Sequence, residues 1–277
     1  MTSISARTPE IDWSRGFNRH WNDGNPAATH AFNALSFLFP QAERFFIEVV
    51  RKAVAGIDLG VNPPLGGAVR GFIAQESNHS RQHAHYNAVL RRQGYENVAE
   101  ALIARLQAQS TRHFSTLTQL AIVCAYEHYT AILGNYILCN PRVLKSAPAD
   151  MALIWGWHGA EETEHKAVCF DLYRAAGGGW LRRVILFILV TANFTRMFGR
   201  LYFSLLHRDG CLKPARLLRT VGQALRFFFN RSGVGWHLIG FGFHYLDPRF
   251  HPWRQDNRGK LNAWLAANQT RLRRPAS

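Results

Sequence analysis

The chain has 277 residues, 47% of them hydrophobic, with 33 Lys and Arg against 18 Asp and Glu. This composition fits one large or two small folded domains and excludes a disordered chain, a collagen-like repeat or a disulfide scaffold. The charge is uneven, because residues 177–277 hold 17 basic and 3 acidic residues and so carry +14 of the net +15. Residues 1–15 contain Arg7, Glu10, Asp12 and Arg15 and no apolar run, so no secretory signal is expected and the protein reads as cytoplasmic. The four cysteines, Cys124, Cys139, Cys169 and Cys211, are widely spaced with no C-x-x-C, as buried thiols in a reducing compartment would be.

Gly and Pro punctuate long helical segments. A first helix is predicted from Pro40 to near Gly56, and a second from Pro63-Pro64 to about Gly94. A third runs from near Asn97 to Asn140-Pro141 with a break near His113, and a fourth from Pro148 to the glycine run 177–179. Beyond that run lie an apolar stretch from Trp180 to Leu206, a basic helix from about Pro214 to Asn230, a Gly- and aromatic-rich region from Gly233 to Trp253, and a short C-terminal helix. No strand alternation is long enough for a sheet. The expected organisation is an N-terminal extension (1–36), a helical bundle (37–176) and a basic, aromatic-rich helical region (177–277).

The chemistry is concentrated in two Glu-x-x-His motifs, Glu76 with His79 and Glu162 with His165. Residues three apart share a helix face, so each motif aims one carboxylate and one imidazole at a common point. Glu43 and Glu127 stand on the other two predicted helices inside apolar sequence, where a lone buried charge costs several kcal/mol unless it is paired or binds a metal. The order Glu, Glu-x-x-His, Glu, Glu-x-x-His is the inward-projecting ligand set of ferritin-like dinuclear carboxylate bundles. The expected ligands are therefore Glu43, Glu76, His79, Glu127, Glu162 and His165. The oxygen-rich donor set favours two iron ions, with manganese as the alternative and zinc disfavoured. His83 and His158 lie one turn from ligands on the metal-facing stripes, either as an additional ligand or as donors that orient a carboxylate, and are expected to matter more to activity than to folding. Glu161 competes with Glu162 for the ligand position, and the Glu-x-x-His register selects Glu162.

The segments Gln75 to His83 and Trp157 to Tyr173 resemble the signature blocks of a bacterial family described as predicted metal-dependent hydrolases, itself similar to ferritin-like proteins. Phe39-Pro40-x-x-Glu43-Arg44-Phe45-Phe46 and Tyr126-Glu127-His128 match as well. The resemblance implies an all-α fold, a ferritin-like four-helix bundle with a dinuclear metal site plus additional C-terminal helices.

Three activities compete. A di-iron centre would activate dioxygen to oxidise or oxygenate a small or apolar substrate, the reading favoured here. A two-metal hydrolase of an ester, amide or phosphoester is the alternative, with Glu161 or His158 left to act as base. Non-catalytic iron binding ranks third. Nucleic acid is not expected as a partner, since no recognition motif is present; a redox partner and a homo-oligomer are compatible with these readings. The longest uncharged stretch of the apolar segment Trp180 to Leu206, Val184 to Thr195, has 12 residues, against about 20 needed to span a bilayer. That region reads either as a lid on the bundle or as a peripheral contact with an anionic membrane surface.

Overall fold

The first helix starts where Asn25 caps it: its side-chain oxygen accepts from the N–H groups of Ala27 and Ala28, and Pro26 occupies the first turn, where a missing N–H costs nothing. This helix, α1 (Pro26–Val54), begins 14 residues ahead of the Pro40 start predicted from the sequence, and Pro40 lies inside it. A mid-helix proline deprives the carbonyl four residues earlier of its donor. Here that carbonyl belongs to Ser36, and it accepts instead from Asn87 Nδ2 at 2.8 Å. A side chain from the next helix thus replaces the lost bond, and the helix continues.

The computed structural model describes residues 4–57 and 59–273. Residues 1–3 of the expected N-terminal extension, Asp58, and residues 274–277 of the expected C-terminal region lie outside them. α2 (Pro63–Arg92) follows the Asn62 cap. The third predicted helix is two, α3 (Glu100–His113) and α4 (Thr116–Cys139), the latter capped by Ser115 Oγ on the Thr118 N–H. The fourth is also two, α5 (Ala149–His165) and α6 (Val168–Ala175). At the break between them Lys166 Nζ is buried and donates to Gln255 O and Asn257 Oδ1. Next come α7 (Trp180–Arg208), α8 (Pro214–Phe229), α9 (Val234–His244) and α10 (Arg258–Asn268). Two-residue strands, β1 (Thr8–Pro9) and β2 (Leu272–Arg273), pair antiparallel with Thr8 opposite Arg273. The described residues are otherwise helical or irregular, as an all-α fold requires.

α1 packs on α2 and α4, and α5 on α4 and α2; α3 covers α1. α7 lies across α1 and α4, α8 on α1, α9 on α4 and α8, and α10 on α5. Two apolar clusters fill the centre. One holds Phe37, Tyr86, Tyr136, Trp155 and Trp157, the other Phe46, Phe72, Leu120, Cys124 and Cys169. α1, α2 and α4 each pass from one cluster to the other, α5 and α6 do so in succession, and Glu43, Glu76, Glu127 and Glu162 sit at the crossing.

α7 is the one helix among the described residues long and apolar enough to cross a membrane by length and composition, and 28% of its most apolar 18-residue window is buried. Its end is tied to the N-terminal segment through Asp209, whose side chain is covered and accepts from Arg19 Nη1 (2.6 Å), His20 Nε2 (2.5 Å), His30 Nε2 (2.9 Å) and Tyr95 OH (2.8 Å). Burial opposes this charge, but the hydrogen bonds from His20, His30 and Tyr95 win and hold the carboxyl well below its usual range. A carboxyl so depressed stabilises the fold above the unfolded value of about 3.9, and that contribution fades as the pH falls through the folded value. Asp209→Asn is expected to cost about 3 kcal/mol in urea unfolding at neutral pH. The gap to wild type should narrow as the pH drops below about 4.

Candidate metal centre

The six expected ligands converge. Glu43 comes from α1, Glu76 and His79 from α2, Glu127 from α4, and Glu162 and His165 from α5, and all six are 2% exposed or less. His165 Nε2 lies 3.4 Å from each of three carboxylate oxygens, Glu76 Oε1, Glu127 Oε2 and Glu162 Oε2. His79 Nδ1 lies 3.2 Å from Glu76 Oε1 and 3.4 Å from Glu162 Oε1. Glu76 and Glu162 therefore face both imidazoles, while Glu127 faces His165 alone. Glu43 shares the His79 side with His158: one ligand atom from each of these three lies within 4.8 Å of the others.

The far nitrogens of the rings are held from behind. Glu161 Oε2 accepts from His79 Nε2 at 3.1 Å, and Glu161 Oε1 accepts from the Arg7 backbone N–H at 2.9 Å. Glu161 thus stands behind His79, and Glu162 faces the shared space. Gln75 Oε1 accepts from His165 Nδ1 at 2.8 Å, and its amide donates to Glu164, which also takes the Arg7 guanidinium in a fork.

A third relay fixes His158. Ser36 has one hydroxyl proton, which goes to Asn87 Oδ1 at 2.8 Å, so Ser36 Oγ must accept from His83 Nδ1–H at 2.9 Å. His83 Nε2 is then a bare acceptor and takes the Nδ1–H of His158 at 2.8 Å. His158 Nε2 is left with its lone pair pointing at Glu162 Oε1, 3.1 Å away. Two lone pairs facing each other at that distance repel, and a proton or a cation between them removes the repulsion.

The electrostatics say the same of the whole cluster. Glu43 Oε1 and Oε2, Glu127 Oε1 and Oε2, Glu76 Oε2 and Glu162 Oε2 are buried with no hydrogen-bonding partner among the described residues. Burial, then the neighbouring charge of Glu76, pushes the Glu43 carboxyl well above its usual range. Burial and the charge of Glu162 raise Glu127 to about 8. Burial also opposes the charge of Glu162, but His165 and the donors around it hold that carboxyl low. Burial lowers His158 to about 4 and drives His83 well down, so both rings are neutral, as the relay requires. Buried oxygens without donors, grouped with imidazole nitrogens turned toward them, fit divalent cations: they supply acceptors where a cation supplies charge. Second-sphere partners of this kind fix ring orientation in metal sites.

A cavity of about 310 Å³ reaches the cluster at Glu43, Glu76 and Glu162. Its remaining wall is almost wholly apolar, with Phe45 and Phe46 from α1, Ile103 from α3, Tyr126 and Leu133 from α4, and Leu189 from α7. Arg7 carries no sequence signal, since it has no spacing relation to the motifs and reaches them only by tertiary approach. Gln75 and Glu164 carried a signal, each standing directly before a motif residue. Among the described residues a second group of potential ligands, His20, His30 and Asp209, is the tie described above.

The backbones of α4 and α5 touch beside the cluster. A Cβ on Gly134 would lie 2.6 Å from Gly159 O and 3.2 Å from Glu162 Cβ. Only glycine at both positions lets α5 bring Glu162 this close to α4.

A family model described as predicted metal-dependent hydrolase matches residues 5–256, and the chain belongs to that family. No curated protein and no solved structure matches it.

Gly134→Ala should force α4 and α5 apart, lowering stability by about 1–3 kcal/mol and weakening Mn(II) binding in calorimetry. Gly222→Ala on α8, where a Cβ meets nothing within 4 Å, should leave metal binding unchanged and stability equal or slightly higher.

Proposed function

We propose that this member of the predicted metal-dependent hydrolase family is a dinuclear metal enzyme acting on an apolar organic substrate, with α1, α2, α4 and α5 as a ferritin-like four-helix bundle. The observation that carries this reading is the set of buried, donor-less carboxylate oxygens interleaved with imidazole nitrogens at the floor of an apolar cavity. Glu43, His79 and His158 would hold one ion and Glu127 and His165 the other, with Glu76 and Glu162 between them. Iron suits this oxygen-rich set, with manganese as the alternative. When bound, such a pair supplies Lewis-acid activation of water and of an ester, amide or phosphoester oxygen, or, if it is reducible iron, electrons for dioxygen.

The chain's own residues prepare that chemistry in three ways. Glu161 and Gln75 take the outward N–H groups of His79 and His165, so the other nitrogen of each ring faces the carboxylates and would take an ion once its proton is displaced. The Asn87–Ser36–His83 relay does the same for His158. The apolar wall excludes water and receives the nonpolar part of a substrate, leaving the reacting group over Glu43, Glu76 and Glu162.

Family membership supports the hydrolytic reading. A second reading, oxidation or oxygenation with dioxygen, is favoured by the carboxylate placement. Glu161 is tied to Arg7 and to His79, so no carboxylate in the cluster stands free as a base. In hydrolysis His158 Nε2 would be the remaining candidate, and as base it would give up its place as a ligand.

Metal-loaded protein is expected to hold two ions per chain by elemental analysis. The Glu76→Ala, Glu162→Ala double variant should hold only a trace, and Glu127→Gln should lose metal with little loss of helix by circular dichroism. Stoichiometric metal in the double variant overturns the assignment. Turnover of a p-nitrophenyl acyl ester under argon would support hydrolysis; no cleavage, together with dioxygen consumption by the iron-loaded protein, would support oxidation.

His158→Ala should weaken metal binding about 10–100-fold, and Ser36→Ala less, because it only frees the relay. Unchanged affinity in both would return His83 and His158 to a packing role.

A further inference from the structure

α7, α8 and α9 each lay one face on α1 or α4 and leave an apolar stripe on the other. On α7 the inward residues Leu186, Phe187, Val190, Met197 and Leu201 are buried, while Leu181, Ile185, Ile188, Leu189 and Phe203 are exposed, Leu189 by 59%. On α8 the half-buried Phe227 and Phe228 face inward, against Phe32 and Tyr202, while Leu217, Leu218, Val221, Leu225 and Phe229 face out, Leu218 by 86%. On α9 the exposed large apolar residues are Trp236, Ile239 and Phe243. Phe229 and Trp236 touch edge to face at 5.4 Å, so the α8 and α9 stripes join. An exposed apolar face built by three helices needs a partner.

The charge around this face names its chemistry. By helical spacing Arg219 and Arg226 edge the α8 stripe, and Arg182 and Arg196 edge that of α7. None of these four forms an ion pair among the described residues. The three acidic residues of 177–277 are engaged elsewhere: Asp209 in the tie to Arg19, Asp247 with Arg254, and Asp256 with Arg258. An apolar surface bordered by unpaired arginines complements an anionic lipid leaflet, whose headgroups meet the guanidinium groups while its chains meet the leucines and aromatics. Because α7 is packed along its whole length on α1 and α4, it can lie in the plane of a leaflet but cannot leave the core to span one.

The cavity ties this surface to the chemistry. Leu189 belongs both to the exposed stripe of α7 and to the cavity wall, and exposed Phe114 lines the same mouth. An apolar passage therefore runs from the outer face to Glu43, Glu76 and Glu162. We propose that the outer face of α7, α8 and α9 seats in an anionic lipid leaflet, and that the cavity opening at Leu189 takes the acyl chain of an amphiphile from that leaflet to the carboxylate cluster. The second half rests on the cluster's being the metal centre proposed above; the first does not.

Flotation of the full-length protein with phosphatidylcholine vesicles, with and without phosphatidylglycerol, tests the docking. Binding should be at least about ten-fold tighter to the anionic vesicles, weaken with salt, and fall about ten-fold in Ile188→Glu and Leu218→Glu, both exposed changes checked for native helix content. No binding at low salt, or equal binding to both compositions, overturns it. So does a dimer in sedimentation that Leu218→Glu dissociates without any vesicle binding. For the cavity, the metal-free protein should enhance the fluorescence of cis-parinaric acid, and Ala42→Phe, which fills the wall, should reduce this about ten-fold. No enhancement overturns acyl entry. Failure of the metal-centre reading would appear separately, as absent metal uptake with vesicle binding intact.

Discussion

Four carboxylates buried together are the constraint on which this structure depends. Glu43, Glu76, Glu127 and Glu162 come from four helices and meet where water cannot solvate them. Like charges in a low-dielectric interior repel strongly, and the desolvation of each adds to the cost. The chain offsets that cost in part with His79 and His165, which the surrounding carboxylates hold protonated well above the usual imidazole range despite burial. It leaves six carboxylate oxygens without donors. Divalent cations would supply the missing charge, as proposed above, and the family to which the chain belongs carries metal dependence in its description.

Much of the rest of the fold serves to bring those groups together and hold them still. Gly134 and Gly159 remove the side chains that would keep α4 from α5. Gln75, Glu161 and the Asn87–Ser36–His83 relay decide which nitrogen each ring presents. Arg7 reaches over from the N-terminal segment to neutralise Glu161 and Glu164, which would otherwise add two more negative charges beside the four. That segment is held in turn by the short pairing of β1 with β2 and by the bonds from Arg19 and His20 to Asp209. A chain of polar contacts thus links the C-terminal end of α7 to the shell of the cluster through the first 30 residues.

The cluster and the outer face are opposite extremes of polarity joined by one cavity. At its floor are carboxylates; at its mouth are Leu189 and Phe114. Such a gradient sorts a molecule by its two ends, with a polar head held over charge and an apolar tail held along the wall. It also accounts for the length and composition of α7, which must be apolar inward to cover α1 and α4 and is apolar outward as well. For a helix exposed only to water the outer stripe would be a liability.

The sequence by itself determined the helical class, because Gly and Pro fall between apolar segments. It also determined which residues could converge on a site, because Glu-x-x-His places both side chains on one face whatever the tertiary arrangement. The family resemblance was legible for the same reason, in short local motifs. What only the tertiary structure decided are matters of approach between distant residues. Pro40 reads as a helix start until Asn87 supplies the donor its ring removed. The segment after Pro148 reads as one helix until the buried amine of Lys166 is seen bonded to Gln255 and Asn257. Glu161 and Glu162 are adjacent in sequence and equivalent in composition, yet a 100° step around α5 turns one to Arg7 and the other to the shared space. Local spacing sets which side chains share a face, and only packing sets what that face meets.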